Sequence, residues 1–246
     1  MRKYMEYKII SGRTVEVRRV MMDCSARSGP KIRRGTRVKG RTSLQKILAN
    51  EREAVKNLAR ILNCNFSQGD MWVTLTYPDD RLPAGREEAK KDMEKTLRKL
   101  RLAFRKEYGR NPKYVVATGS VDPRTGEQVR YHHHIVMEAL AYEAITGFWP
   151  GEDVSYRRLD GRGDYTGIAR YMVQNSADRG DGERRWSCSR GLKKPIYTEP
   201  VPVKPGEKIY IPRNASLKQK NSFEDDETGM CSEYVRYTKA RTVMRN

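Results

Sequence analysis

No stretch of this 246-residue sequence approaches 18 consecutive apolar residues, and no apolar signal core stands near its N-terminus. That excludes a membrane-spanning helix and leads us to expect a soluble protein inside the cell. A Cys-x-x-Cys pair is missing: Cys24, Cys64, Cys188 and Cys231 are far apart, which argues against a zinc knuckle and a disulfide framework. No Gly-x-x-x-x-Gly-Lys-Ser/Thr loop occurs, so no P-loop ATPase is fused to the chain. Acidic residues are in deficit, 31 against 50 Lys and Arg, for a net charge of +19. An imbalance of that size favours a polyanionic partner, nucleic acid first. An anionic membrane surface comes second, but no long apolar amphipathic segment supports it. Apolar content is 37%, on the low side, which predicts a compact centre with polar extensions.

Histidine is scarcest of all. The three in the chain are adjacent, in Tyr131-His132-His133-His134-Ile135-Val136-Met137. A strand alternates its side chains, so His132 and His134 project from one face. His133, Tyr131, Ile135 and Met137 take the other. Two imidazoles on one face of a half-buried strand describe a pair of metal ligands, or the start of an acid–base site. A solvated polar edge is the plainer alternative.

Around this strand the chain divides readably. Residues 6–20 read as a hairpin turning at Ser11-Gly12. Residues 23–42 read as a basic linker carrying Lys31, Arg33, Arg34, Arg37, Lys39 and Arg41. A helix opens at Ser43 as N-cap, with Leu44, Leu48, Val55, Leu58 and Leu62 as its apolar stripe. Met71 to Tyr77 is a strand rich in β-branched and aromatic residues. A long helix over residues 85–108 buries Met93, Leu97, Leu100 and Phe104 and exposes a basic face. Residues 114–118 form a strand, Asp122 to Gly126 a turn, and the histidine strand returns from it. A short helix over 139–146, a strand over 154–159 and an amphipathic helix over 164–174 follow. On that last helix Ile168, Ala169, Met172 and Val173 share one arc, and Tyr171 lies at its edge. The domains expected are 1–42 (hairpin and linker), 43–198 (the main domain) and 199–246. The last is an irregular extension with a short strand at 208–211 and a solvated acidic patch at 224–227.

Thr74-Leu75-Thr76-Tyr77, the His132–His134 run and the Tyr171 helix occur in the order of the three motifs of HUH endonucleases. The closer resemblance is to gene II-like rolling-circle replication initiators of bacterial phages and plasmids. It extends to Asn63-Cys64-Asn65-Phe66, to Asp164 through Tyr171 and to Arg185 through Pro195, covering roughly residues 4–200. The resemblance implies an α+β fold, a central antiparallel sheet flanked by helices as in an RNA-recognition motif. It implies that His132 and His134 bind Mg2+ or Mn2+, and that Tyr171 attacks single-stranded origin DNA to give a 5′-phosphotyrosyl enzyme and a free 3′-hydroxyl. A tyrosine hydroxyl is a modest nucleophile unaided, and a divalent Lewis acid answers that need. Imidazole ligands suit Mn2+ better than Mg2+. With no fused ATPase, a host helicase and polymerase are expected partners, in the cytoplasm of a bacterial host, with no membrane role.

The sequence departs from the family pattern in places. His133 stands where a hydrophobic residue is usual, and we assign it no ligand role. Gln174 occupies the place of a common lysine and would position a phosphate by hydrogen bonding, with Arg170 or Arg179 supplying charge. The third metal ligand stays open among Glu138, Gln174, Asp122 and Glu127. Tyr165, six residues earlier, is the competing nucleophile. DNA contacts are expected from Thr74, Thr76, Arg170, Arg185, Trp186, Arg190, Lys193 and Lys194, whose mix of cations with an aromatic suits phosphate contact and base stacking. Trp186 anchored in the core is the alternative. Two other readings remain: a non-catalytic single-strand-binding module, and an HUH transposase or relaxase.

Overall fold

The computed structural model describes residues 2–23, 44–151, 153–179, 183–204, 206–225 and 230–241. Its strands and helices form an α+β architecture in which every strand pairing is antiparallel. They divide between two compact units, Ala49–Lys194 and Met1–Leu48 with Pro195–Asn246. Among the described residues no helix is long and apolar enough to cross a membrane.

The unit Ala49–Lys194 is a five-stranded sheet with helices on both faces. Its strands are β3 (Met71–Thr76), β4 (Tyr114–Val121), β5 (Gln128–Met137), β6 (Val154–Arg158) and β7 (Ser187–Cys188), in the order β6-β3-β5-β4-β7. The histidine strand β5 is therefore central. Alternation sends Met71, Val73, Leu75, Tyr114, Val116, Ile135 and Met137 to one face. There they meet Ala89, Met93, Leu97, Leu100 and Phe104 of α2 (Arg86–Tyr108), and Ile145 of α3 (Tyr142–Phe148). The apolar positions of α2 recur every three or four residues, which makes one stripe. The helix stops where Gly109 turns left-handed (φ 68°) and donates its N–H to the Arg105 carbonyl.

The opposite face carries Val115, Ala117 and Val136 beneath α1 (Leu44–Asn65) and α4 (Thr166–Asn175). The apolar stripe expected along all of α1 is buried only from Val55 onward, while Leu44 and Leu48 are exposed. Periodicity marks a face but not how much of it finds a partner. The Ser43 cap and the basic linker from residue 24 on lie outside the described residues.

The other unit corrects the expected boundaries. β1 (Arg2–Ser11) and β2 (Thr14–Asp23) form the N-terminal hairpin. The C-terminal segment supplies β8 (Ile196–Tyr197), β9 (Val201–Val203), β10 (Ser216–Asp225) and β11 (Met230–Thr238). The sheet runs β10-β11-β2-β1-β8, with β9 also on β1. Residues 199–246 are thus part of a sheet, and 1–42 is not a separate arm. Val15 and Val17 of β2 share a core with Val235 and Tyr237 of β11. The expected strand at 208–211 is absent; Ile209 and Ile211 pack irregularly against that core. Of the acidic patch, Glu224 and Asp225 end β10, and residues 226–227 lie outside the described residues. Pairing across more than 200 residues leaves no local pattern to read.

Candidate active site

β5 and α4 build the site. His132 and His134 face α4, with ring centroids 4.7 Å apart. Tyr171, half-buried on α4, sets its ring edge-on to His134 at 4.9 Å and to Trp72 of β3 at 5.7 Å. Trp72, Thr74, His134 and Tyr171 line a groove of about 420 Å3, rimmed by Asp122, Arg124, Ser155, Tyr156 and Arg157.

Hydrogen bonds orient each imidazole. His134 Nδ1 is 3.0 Å from Thr74 Oγ1, and its buried Nε2 has no partner. Burial, followed by the neighbouring His132 and His133, pushes its pKa down to about 3. His132 Nδ1 donates to the Arg130 carbonyl at 2.9 Å, which leaves Nε2 as an acceptor. Asn175 Nδ2 donates to that Nε2 at 2.9 Å and to the Val121 carbonyl at 2.6 Å. Burial lowers the His132 pKa, opposed by the Arg130 carbonyl and by Asp178 and Asp122. Both rings are thus neutral near pH 7, the form whose Nε2 lone pair can bind a metal.

His133 lies on the other face, fully buried, ringed by Tyr77 and Trp149. Tyr77 donates to the Ala89 carbonyl, so it accepts from His133 Nε2 at 3.1 Å. Thr118 Oγ1 then donates to Nδ1 at 2.9 Å. Burial above all, then His132 and Arg86, pushes its pKa down to about 3. This makes a testable stability effect. The unfolded chain takes up a proton at His133 below its ordinary 6.5, whereas the folded chain refuses it down to about 3. Stability contributed by the neutral imidazole is therefore complete above 6.5 and is lost as pH falls towards 3. Between about pH 7.5 and about pH 4.5 the loss is on the order of 2–3 kcal/mol. His133→Gln keeps a hydrogen-bonding side chain without the titration. In chelator, urea unfolding should show wild type losing that much more stability on acidification than the variant; equal losses would refute a neutral buried His133.

The expected site residues separate on inspection. Gln174 turns to Glu51 on α1, at 3.3 Å, and does not line the groove. Three residues along a helix bring a side chain 60° short of Tyr171, on the α1 side. Four residues along, Asn175 is fully buried and reaches His132 instead. Glu138 is claimed by Arg110 (2.6 and 2.9 Å) and by the Lys113 N–H (2.6 Å), and Glu127 is exposed. Of the four third-ligand candidates only Asp122 lines the groove, and Arg124 pairs with it at 3.5 Å. Among the described residues no cluster of three His, Cys, Asp or Glu forms a metal cage. Tyr165 is buried at the entry to α4, and its hydroxyl donates to the Asp160 carbonyl at 3.1 Å.

Of the expected DNA contacts, only Thr74 lines the groove, and it orients His134. Thr76 is half-buried on the same face of β3. Arg170, Arg190, Lys193 and Lys194 are exposed outside the groove. Arg185 bonds the Val173 carbonyl at the end of α4, and Trp186 packs half-buried against the core beneath α1 and α4. Sequence pattern had not singled out Trp72, Ser155, Arg157 or Asn175. Parity with Thr74 could have marked Trp72, and the i+4 spacing from Tyr171 could have marked Asn175.

Fold and site together define an α+β domain whose polar groove sits on the central strand of an antiparallel sheet. Residues 70–176, from the edge of β3 to just past α4, match the family model of the replication-associated protein of the ORF2 and gene II type, and through this segment the chain belongs to that family. No curated protein and no solved structure matches the chain.

Proposed function

We propose that this chain initiates rolling-circle DNA replication as a metal-dependent nickase of single-stranded origin DNA. Tyr171 is the nucleophile, and His132 and His134 hold Mn2+ or Mg2+. The carrying observation is one juxtaposition within the family segment: the Tyr171 ring lies 4.9 Å from His134, whose Nε2 is buried with no partner. The neutral imidazoles fit a divalent cation, with Asn175 displaced from His132 Nε2. A cation bound there supplies a Lewis acid for a phosphodiester oxygen. Tyr171 Oη attacks the phosphorus, the bond to the 3′ oxygen breaks, and that oxygen leaves as a hydroxyl able to prime synthesis. The Tyr171 proton passes to solvent. The ester energy is retained in the phosphotyrosyl bond, so rejoining needs no ATP. Trp72 and His134 hold the Tyr171 ring from two sides, which limits the orientations it must lose before attack. A host helicase and polymerase complete the cycle in the bacterial cytoplasm.

The test is a labelled single-stranded oligonucleotide incubated with the full chain in Mn2+, Mg2+ or chelator. A covalent adduct should form with metal, disappear in chelator, and map by mass spectrometry to the Tyr171 peptide. His132→Ala and His134→Ala should each lower its yield by at least about 100-fold. Binding without an adduct under every metal condition would leave only a single-strand-binding module.

A further inference from the structure

We infer that the edge strand β6 carries the nucleotides flanking the nick, with Arg157 holding one phosphate and Arg124 a second on the opposite rim. This rests on the reading of the groove as the nicking site. In the β3–β6 register Arg157 stands opposite Trp72 and Ser155 opposite Thr74. Paired residues share a sheet face, so both point to the side of His134 and Tyr171. Both are exposed, and Arg157 has no hydrogen-bond or ion-pair partner among the described residues. β6 ends the strand order, with β3 as its one neighbour in the sheet. Arg124, on the turn between β4 and β5, is exposed and pairs with Asp122 alone. Two cations therefore face each other across a groove floored by aromatic and imidazole rings.

The spacing suits a single strand. From β6 to β5 is two strand spacings, about 10 Å. That accommodates about three nucleotides at a stacked rise of ~3.4 Å. Trp72, between Arg157 and His134, offers its ring to one base, a sequence-tolerant contact. Ser155 adds a hydroxyl to the same phosphate track. Charge commits the groove to single-stranded DNA: cations stand on both rims, and the one acid lining it is already paired with Arg124.

Anisotropy titrations in the Tyr171→Phe background, which cannot turn over, test this across a salt series. Arg157→Ala should weaken oligonucleotide binding about tenfold, as loss of a charge-assisted hydrogen bond does. It should also flatten the slope of log affinity against log salt by about 0.7, one single-strand phosphate contact. Arg124→Ala should do the same, and Arg157→Lys should restore the slope. Lys99→Ala, an equal charge change on exposed α2 across the sheet, should leave affinity within about twofold. Arg157 is exposed and unpartnered, so its variants should melt as the parent does. A parent that binds DNA with an unchanged slope in Arg157→Ala overturns the inference and leaves the nicking site standing. A parent that binds no single-stranded DNA overturns both.

Discussion

Tyr171→Phe is expected to abolish the covalent DNA adduct, a fall of at least about 10^3-fold, because it removes the attacking oxygen. The phenyl ring still packs edge-on against Trp72 and His134, so folding and oligonucleotide binding should persist. Tyr165→Phe should do the reverse. It removes a hydroxyl that donates to the Asp160 carbonyl from within the core, at a cost of about 1 kcal/mol in stability, and leaves the adduct in place. Denaturing gels with labelled oligonucleotide measure the first effect and thermal melting the second. An adduct that survives Tyr171→Phe and vanishes with Tyr165→Phe would transfer the nucleophile to the buried tyrosine.

Gly119→Ala should be the most damaging single methyl group in the site. Gly119 stands opposite His132 across the β4–β5 register. A Cβ there would come within 2.6 Å of the Asn175 carbonyl carbon, and closer still to both Asn175 oxygens. Two of those atoms are backbone, so no rotamer change relieves the clash. Either β4 bends away from β5 or the end of α4 lifts. Overpacking of this kind costs about 1–3 kcal/mol. Losing the Asn175 bonds to Val121 and His132 adds about 1 kcal/mol more. The same displacement moves Tyr171, one turn earlier on α4, so adduct yield should fall together with stability. Gly167→Ala is the matched control. It sits in α4 with no atom within 4 Å of the added Cβ, and alanine should stabilise the helix by up to about 1 kcal/mol. Urea unfolding of the two variants checks the contrast. A Gly119→Ala protein as stable as wild type would mean that α4 does not approach β4 this closely.

Much of the architecture around the site was legible locally. Strand alternation separated His132 and His134 from His133, because neighbouring side chains on a strand must point apart. Helical periodicity marked the buried stripe of α2, and Tyr171 stood at the edge of the packed arc of α4. These are properties of backbone geometry, and a few consecutive residues are enough to show them. The ligand shell was not legible in this way. Glu138 has the parity of a third ligand, but Arg110 and the Lys113 N–H take its carboxylate at the far end of the strand. Gln174 matches the family position, yet it faces Glu51.

What the sequence determined by itself was therefore the set of faces: two histidines together, a tyrosine on the rim of a helix, and a strongly basic chain suited to a polyanion. The tertiary structure decided which faces meet. Asn175 reaches His132 across 43 residues, Arg157 lies opposite Trp72 across a strand pair, and β11 joins β2 from the other end of the chain. Such contacts depend on how distant segments close on one another. That closure is set by the summed burial and pairing of the whole chain, and so it leaves no periodic trace in the residues that take part.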